Sequence, residues 1–242
     1  NFAIQTALYD LLSKNNNKSF STFINKKSLT EVKSNGVYGL TSINNYQTIK
    51  IKCGFRNLYN ELELLEKLVN DYNSNINFIL DLNQAYDLPK AIRFLKEIKR
   101  FNIKYVEQPL PKDELEDLEE LRYHSEIPIA LDESVTNFDS INRILDYNAA
   151  DVLILKPQSI GSFQKLNKAI KLIESAGKKA TITCSLEGNI GRFSTMHLVA
   201  VNNITNTCGL ALEKIYKDEN NIFPNINDGL IKISDKPGLG LD

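Results

Sequence analysis

Short apolar runs and amphipathic stretches alternate along most of this chain. Nearly continuous apolar runs, which suit strands covered on both faces, occupy residues 76–82, 103–107, 127–131, 151–155 and 179–184. Apolar residues at the three- and four-residue spacing of a helix follow each run, over residues 88–101, 113–123, 137–147, 161–176 and 190–202. Strands that alternate with helices in this way predict βα units and a parallel sheet.

The chain on either side of these units adds further elements. The patterns predict a helix over residues 2–12, strands over 32–42 and 48–54, a helix over 58–72 and a last strand over 207–212. The first of these strands bends at Asn35-Gly36, and the second carries Lys50 and Lys52 on one face. Eight strands result, and the predicted fold is α/β, a TIM-type (β/α)7β barrel.

Composition narrows the class of protein. The 242 residues are 42% hydrophobic, enough for a substantial core, and 29 basic against 30 acidic residues leave a net charge of −1. This balance gives no global field that would favour nucleic acid or an anionic membrane as a partner. No apolar run reaches the roughly 18 residues that a membrane helix needs. Three scattered cysteines favour reduced thiols over disulfides, so we expect a cytoplasmic protein.

A charged residue stands near the C-terminal end of four consecutive strand patterns. These residues are Asp81, Glu107, Asp132 and Lys156, at intervals of 26, 25 and 24 residues. An eight-unit barrel takes roughly 250 residues, so each interval has about the length of one βα unit. The four side chains are therefore expected at one mouth of the barrel, where such barrels keep their active sites.

Three of those four residues are carboxylates. Placed together, Asp81, Glu107 and Asp132 would repel one another and raise one another's pKa unless a cation lay among them. Oxygen ligands without His or Cys favour a hard ion, so the predicted metal is Mg²⁺, with Mn²⁺ as a substitute. One acidic residue at a strand end is usually solvated or capping, but three at matched positions favour a metal site. Asn83 points to the same side, whereas Glu133 points elsewhere, as the partner of a lysine or as a surface charge.

Two lysines complete the predicted chemistry. Lys52 faces the same mouth from the second strand and Lys156 from the sixth. A nearby cation and a second lysine lower the pKa of a lysine, so the pKa of each of these two is expected to move towards the range that proton transfer requires. Lys50 lies one pleat deeper and would favour the neutral form of Lys52 by repulsion. The competing interpretation is an exposed edge strand that alternates lysine with apolar residues. His124 and His197 stand at other places and are interpreted as structural.

Five motifs, in this order and spacing, resemble the enolase superfamily and within it the muconate lactonizing enzyme branch. The motifs are TIKIKCG, DLNQAYD, VEQPL, ALDES and ILKP, and the resemblance extends over roughly residues 48–190. It implies that Asp81, Glu107 and Asp132 are the Mg²⁺ ligands. It also implies that Lys52 is the general acid/base and Lys156 the opposing lysine. Supporting residues would be Lys50, Asn83 and Glu133.

The same resemblance implies a domain organisation. Members of the superfamily carry an N-terminal capping domain that closes over the substrate. The predicted parts are the last helix and linker of that cap in residues 1–31, the barrel in residues 32–212, and a C-terminal segment in residues 213–242 that packs back on the barrel or cap. The rest of the cap, with its substrate-recognising residues, is expected to be absent from this sequence.

One segment favours a particular member of the branch. Residues 185–191 (SLEGNIG) resemble a segment of o-succinylbenzoate synthases that meets a succinyl carboxylate, and they indicate a small-molecule carboxylate as partner. The candidate substrate-binding residues are Ser185, Leu186, Glu187 and Gly188. The competing interpretation is the start of a helix, shaped by Ser185 and Gly188. The implied reaction is Mg²⁺-dependent syn dehydration of 2-succinyl-6-hydroxy-2,4-cyclohexadiene-1-carboxylate, by way of an enediolate, in menaquinone biosynthesis.

Other functions stay open. An N-acylamino acid racemase or a dipeptide epimerase of the same branch would use Lys52 and Lys156 as paired bases. Dipeptide epimerases carry an Asp-x-Asp pattern at the eighth strand, whereas residues 208–213 read CGLALE. A muconate-type cycloisomerase is a further alternative, and a truncated barrel that serves as a fold or assembly unit is the non-catalytic one. The mandelate racemase and enolase branches are disfavoured, because their catalytic His or lone-lysine pattern does not occur here. No oligomeric state is predicted.

Overall fold

The computed structural model describes residues 1–72, 76–211, 222 and 224–241. Its helices are α1 (Phe2–Asn15), α2 (Phe20–Ile24), α3 (Leu58–Tyr72), α4 (Leu88–Ile98), α5 (Leu115–His124), α6 (Phe138–Asp146), α7 (Pro157–Ile160), α8 (Phe163–Ser175) and α9 (Asn189–Val201). Its strands are β1 (Glu31–Lys33), β2 (Gly36–Val37), β3 (Thr48–Lys52), β4 (Asn77–Asp81), β5 (Ile103–Glu107), β6 (Ile129–Leu131), β7 (Val152–Leu155), β8 (Lys179–Ile182), β9 (Ile226–Asn227) and β10 (Leu230–Lys232). Strands and helices alternate from β3 to α9, and the predicted α/β class is confirmed.

The chain divides into two compact units. The central unit comprises Gln47–Ile154 and Ile173–Lys179. The terminal unit comprises Asn1–Tyr46, Leu155–Leu172 and Ala180–Asp242. The predicted boundaries after residues 31 and 212 stay predictions.

Parallel strands form the frame of the central unit. Strands β3, β4, β5, β6 and β7 pair in chain order, each parallel to the next. The register places Lys52 beside Asp81 and Asp81 beside Glu107, so the C-terminal ends of three neighbouring strands are level. Apolar side chains of four strands pack into one buried cluster, made of Ile79, Tyr105, Ala130, Val152 and Ile154. The strand order and register therefore bring the charged strand ends together at one edge of the sheet.

Local sequence explains where the helices of this unit begin. The side chain of Asp87 accepts a hydrogen bond from the Lys90 N–H and caps α4, whose apolar residues at helical spacing are buried. At α6, Asn137 and Ser140 form a reciprocal capping box. These caps satisfy N–H groups that have no partner inside a helix, and they start each helix shortly after the preceding strand.

The terminal unit contains an antiparallel sheet and the two ends of the chain. Strand β10 pairs with both β1 and β9, and Val32 lies opposite Ile231. Near the C-terminus, Gly238 forms a bridge with Ser19, and the Leu239 N–H donates to Asp10 of α1 over 2.7 Å. Residues 238 and 239 thus join the C-terminal part of the chain to α1 and to the start of α2.

Two strand predictions in the terminal unit were wrong in extent. The predicted strand over residues 32–42 is split: β1 joins the antiparallel sheet, and after β2 the chain turns, because the N–H groups of Leu40 and Thr41 both donate to the Val37 carbonyl. A Cβ on Gly36 would lie 2.7 Å from the Tyr46 ring, so a side chain at this point would not fit. The predicted strand over 207–212 is reduced to single bridges at Cys208 and Gly209, and Leu212 lies outside the described residues.

Helix α3 and strand β5 have their predicted bounds, and the other predicted elements occur with shifted ends. Helix α1 extends to Asn15, and several predicted strands lose one or two residues at their ends. The short helices α2 and α7 were not predicted, because four or five residues are too few to show a helical period. Within the described residues, no helix combines the length and the apolar character needed to cross a membrane.

Candidate active site

The C-terminal ends of β3, β4 and β5 bring two lysines and two carboxylates together. Lys50 and Lys52 lie on the same face of β3 because side chains alternate along a strand. Asp81 and Glu107, the last residues of β4 and β5, are each 1% exposed. Opposite charges therefore stand within hydrogen-bonding reach at one edge of the parallel sheet.

Lys50 is the counter-ion of the buried Glu107. Its Nζ lies 2.7 Å and 2.8 Å from the two carboxylate oxygens of Glu107 and 3.4 Å from Asp81 Oδ2. Burial by itself disfavours the ammonium form, but the negative charges of Glu107 and Asp81 outweigh burial and raise the Lys50 pKa above its ordinary value. Lys50 therefore stays cationic and neutralises the carboxylates.

Lys52 is the more accessible of the two lysines. Its Nζ lies 2.7 Å from Asp81 Oδ2 and 2.6 Å from Asn83 Oδ1, and its side chain is 49% exposed. Two acceptors thus hold the amine in one place while solvent still reaches it. This combination suits a group that exchanges a proton with a bound molecule.

Asn83 links Lys52 to Glu133. The Asn83 backbone has a positive φ of 41°, and its N–H donates to Asp81 Oδ1 over 3.2 Å. The side-chain amide accepts from Lys52 and donates to Glu133 Oε1 over 2.9 Å. Glu133 is half-buried and bonded to Asn83, so it reaches Lys52 through the asparagine rather than by direct contact.

The pKa values of the two buried carboxylates are shifted in opposite directions. Burial, together with the charges of Asp81 and Asp132, raises the Glu107 pKa even though Lys50 opposes the change. For Asp81, burial is outweighed by Lys50 and Lys52, which hold its pKa below the usual range. The raised pKa of Glu107 therefore comes mainly from burial and in smaller part from the neighbouring carboxylates.

The donor chemistry fits a hard divalent cation. The candidate ligands are the carboxylate oxygens of Asp81, Glu107 and Asp132, and Mg²⁺ prefers oxygen ligands of this kind. Glu133 Oε2 is also buried and receives no hydrogen bond from a residue that the structure describes. In the structure, Lys50 and Lys52 are the counter-ions of the buried carboxylates. Among the described residues, no group of three His, Cys, Asp or Glu side chains is arranged to hold a metal ion. The three predicted ligand residues therefore fit the ion by chemistry, and their role as ligands stays a prediction.

Sequence reasoning missed two buried residues that hold this site. Gln108 follows Glu107 directly, and its side chain binds the backbone after β6. Glu61 of α3 accepts from the N–H groups of Gly54 and Arg56 over 2.8 Å and 3.2 Å, and it so anchors the loop that follows Lys52. The only signal for Gln108 was its place in the Glu-Gln-Pro motif, and Glu61 looked like an ordinary residue of a first helical turn.

The remaining predicted site residues belong to the terminal unit. Lys156 is half-buried and precedes Pro157 at the start of α7. The Glu187 carboxylate accepts from the Ser185 N–H, from the Gln158 side-chain amide and from the Thr195 hydroxyl. These hydrogen bonds fix the conformation of the segment before α9 through contacts inside the terminal unit.

The ends of that segment differ in exposure and conformation. Leu186 has a φ of 59° and is 58% exposed, and Gly188 is the N-cap of α9. Such an arrangement agrees with the start of a helix, and it leaves the exposed Leu186 available to a ligand. The substrate-binding role of these residues stays a prediction.

The two histidines have different surroundings. His197 is buried in α9, where Nδ1 accepts from the Ser21 N–H over 3.3 Å and Nε2 lies 3.4 Å from the Leu239 carbonyl oxygen. Burial lowers the His197 pKa to about 4, so the ring is neutral at physiological pH. His124 is exposed at the end of α5. Both environments agree with structural rather than catalytic histidines.

Solved structures share this fold. The chain resembles the muconate lactonizing enzyme from Pseudomonas putida with a TM-score of 0.87 at 20% identity, over 98% of this chain and 70% of that one. It resembles the N-succinyl Arg/Lys racemase from Bacillus cereus ATCC 14579 with a TM-score of 0.86 at 21% identity, over 98% and 68%. These likenesses confirm the predicted fold, because the structural neighbours are TIM-type barrels of the enolase superfamily.

Sequence relatives are enzymes of the same superfamily. An L-Ala-D/L-Glu epimerase from Francisella tularensis subsp. novicida is 27% identical over 96% of this chain and 69% of its own length. An o-succinylbenzoate synthase from Bacillus subtilis is 29% identical over 81% of this chain and 52% of its own length. The two activities are therefore found at similar distances from this chain. The family model described as "Enolase C-terminal domain-like" matches residues 32–242, and the chain belongs to that family, as the motif resemblance predicted.

Proposed function

We propose that this chain carries the active site of a Mg²⁺-dependent enolase-superfamily enzyme that removes the proton next to a substrate carboxylate. The specific activity proposed is o-succinylbenzoate synthase. The observation that carries the chemistry is the position of Lys52 at the end of a parallel strand: the amine of its half-exposed side chain lies 2.7 Å from Asp81 and 2.6 Å from Asn83. Members of the superfamily generally use Mg²⁺.

Each residue has a distinct task in this proposal. Asp81, Glu107 and Asp132 would hold the ion, which supplies stabilisation of the negative charge that develops on the substrate when the proton leaves. Lys50 limits the repulsion between the two buried carboxylates. Lys52 is the base, and Asn83 and Glu133 orient it. Lys156, assigned by its place in the motif order, is a second cation that stabilises the developing charge.

In the proposed reaction Lys52 carries one proton from the ring carbon to the departing hydroxide. As a free amine, Lys52 takes the proton from the carbon that bears the ring carboxylate of 2-succinyl-6-hydroxy-2,4-cyclohexadiene-1-carboxylate. The electron pair of the broken C–H bond forms the third ring double bond as the C–O bond to the hydroxyl breaks. Lys52 then protonates the departing hydroxide, and water and o-succinylbenzoate result. A single acid/base group on one face suffices, because the proton and the hydroxyl leave from the same side.

Three observations favour the synthase as the specific activity. Residues 185–191 resemble the corresponding synthase segment, and the Bacillus subtilis synthase is similar to this chain. The sequence CGLALE at residues 208–213 also lacks the Asp-x-Asp pattern by which dipeptide epimerases hold a substrate amine.

A second candidate is an L-Ala-D/L-Glu epimerase. It is favoured by the extent of the match to the Francisella tularensis subsp. novicida epimerase, which covers 96% of this chain. In that case Lys52 and Lys156 would act as two bases, one taking the proton and the other returning it to the opposite face. The same Mg²⁺ ligands would serve both reactions, so the choice rests on the substrate and on the use of Lys156.

The deciding experiment offers the complete protein both substrates in D₂O. With Mg²⁺, we expect formation of o-succinylbenzoate from the cyclohexadiene carboxylate, and no deuterium exchange into L-Ala-D-Glu or L-Ala-L-Glu. A Lys52→Ala variant should lose dehydration while it binds Mg²⁺ nearly as well as the wild type. Exchange into the dipeptides without dehydration would favour the epimerase, and the absence of both reactions and of saturable Mg²⁺ binding would favour the non-catalytic barrel.

A further inference from the structure

Gln108 ties together the chain segments that carry two of the candidate ligands. It is fully buried and follows Glu107 in the chain. Its Oε1 accepts hydrogen bonds from the backbone N–H groups of Asp132 and Ser134, each over 3.1 Å. One side chain from the end of β5 therefore fixes the backbone at the end of β6.

The amide of Gln108 is fully used in this arrangement. Its Nε2 donates to the Leu110 carbonyl over 3.0 Å and to Ser134 Oγ over 2.9 Å. Ser134 Oγ in turn donates to the Lys112 carbonyl over 3.0 Å. An amide side chain offers two donors and two acceptor positions, and all four are occupied here. A buried polar network with every member satisfied is rigid.

The backbone of Gln108 is strained at the same point. Its φ is 38°, in the left-handed region that non-glycine residues rarely adopt. Its N–H donates to the Ala130 carbonyl, and its carbonyl accepts from the Gln84 N–H, both over 2.8 Å. The surrounding bonds hold this unfavourable conformation in place. Strain of this kind, placed next to Glu107, points to a requirement for position rather than to stability alone.

We propose that Gln108 is a positioning residue that holds Asp132 at a set distance from Glu107, and that it thereby determines how tightly the carboxylate cluster binds a divalent cation. The inference rests on the proposed function, since it takes Asp81, Glu107 and Asp132 as the ligands. Residues that hold metal ligands in place typically change metal affinity about 10–100-fold when they are replaced. Gln108 touches neither the ion nor the substrate and acts only through the backbone of Asp132.

Gln84 offers a matched control. It also follows a strand end at positive φ, at 66°, and its Oε1 accepts from a backbone N–H of the next loop, that of Lys112, over 3.0 Å. It makes no such bond to Asp132. Gln84→Met and Gln108→Met therefore remove the same kind of loop-to-loop bond, but only Gln108→Met releases the backbone of a candidate ligand.

The test is calorimetric titration of Mg²⁺ into the complete protein and its variants. Gln108→Met should weaken Mg²⁺ binding by about tenfold or more, whereas Gln84→Met should leave it within about twofold. In the rate assay, Gln108→Met should need correspondingly more Mg²⁺ for half-maximal rate and should recover most of its kcat at saturating Mg²⁺. A folded Gln108→Met protein that binds Mg²⁺ as tightly as the wild type would overturn the proposal.

A second variant covers the case in which Gln108→Met does not fold. Gln108→Glu keeps one oxygen that can accept from the Asp132 and Ser134 N–H groups. In its protonated form the new side chain also has an O–H that can donate to the Leu110 carbonyl or to Ser134 Oγ, so folded protein should bind Mg²⁺ within about twofold of the wild type. A tenfold loss of affinity in folded Gln108→Glu would contradict the inference. If wild-type protein itself fails to bind Mg²⁺ saturably, the proposed function fails; if only the variants behave unexpectedly, the role of Gln108 alone is refuted.

Discussion

The Lys50 ammonium bridges both carboxylate oxygens of Glu107, at 2.7 Å and 2.8 Å, where β3 and β5 end on either side of β4. The Glu107 residue is almost fully buried, and the Lys50 side chain is 13% exposed. A buried charge without its partner is costly, so this pair controls how the negative charge of the site is balanced.

Lys50→Met should therefore destabilise the protein. It leaves Glu107 buried near Asp81 without its main counter-ion, and removal of one partner of a buried pair typically costs about 3–5 kcal/mol. Urea unfolding at pH 7 measures the loss, and saturating Mg²⁺ should restore part of it if the carboxylates take up the ion. Lys52→Met is the matched control, since the Lys52 side chain is half-exposed, and it should cost no more than about 1 kcal/mol. Equal losses in the two variants would contradict the assignment.

Asn83 should matter to the rate more than to metal binding. Asn83→Gly removes the oxygen that lies 2.6 Å from Lys52 Nζ but tolerates the positive φ at this position. We expect kcat to fall by about 10–100-fold as Lys52 loses its orientation, with little change in the affinity for Mg²⁺. Steady-state kinetics and calorimetric titration separate the two effects.

Asn83→Ala adds a control for the backbone. It removes the same oxygen but is strained at positive φ, so it should be less stable than Asn83→Gly by about 1 kcal/mol and have a similar kcat. An unchanged kcat in both variants would show that Asn83 does not orient the base.

His197 should make stability depend on pH. Its pKa in the folded protein is lowered to about 4, mainly by burial, against about 6.5 in an unfolded chain. Between these values the unfolded state binds more protons, so stability is fully present above about pH 6.5 and falls as the pH drops towards 4, by about 3 kcal/mol in total. Denaturant unfolding from pH 7.5 to 4 measures this slope.

The contribution of His197 is isolated by His197→Asn. The asparagine oxygen can accept from the Ser21 N–H as Nδ1 does, but it does not titrate. The difference in stability between wild type and variant should shrink as the pH falls. A difference that stays constant over this range would mean that His197 keeps its proton affinity on folding.

Glu61 should hold the loop after Lys52. Glu61→Gln keeps one oxygen for the Gly54 and Arg56 N–H groups but removes the negative charge that strengthens those bonds. It also replaces the second carboxylate oxygen by an NH₂ donor that faces the Arg56 guanidinium, where Glu61 now accepts a hydrogen bond. We expect a loss of about 1–3 kcal/mol and faster hydrogen exchange of the amides at residues 54–56. Glu63→Gln on the exposed face of the same helix is the control and should change neither quantity. Unchanged exchange at residues 54–56 in Glu61→Gln would argue against the anchor.

Periodic patterns predicted most of the elements, because they depend on neighbours in the chain. Helix α3 was predicted at its observed bounds, and β5 likewise, since both have a clear apolar period and plain boundaries. The strand over residues 32–42 failed for the opposite reason. Val32 and Ile231 pair across nearly two hundred residues of sequence, and no local pattern reports such a partner.

Residue types and spacing determined which side chains of this protein we predict to carry chemistry: Asp81, Glu107, Asp132, Lys52 and Lys156 stand near the ends of a repeating strand–helix unit. Tertiary structure alone decided how the charges are paired. Lys50 binds Glu107, Asn83 stands between Lys52 and Glu133, and the amide of Gln108 holds the backbone of Asp132. Such pairings depend on the register between strands and on side-chain directions across them, and the order of residues along one strand contains neither.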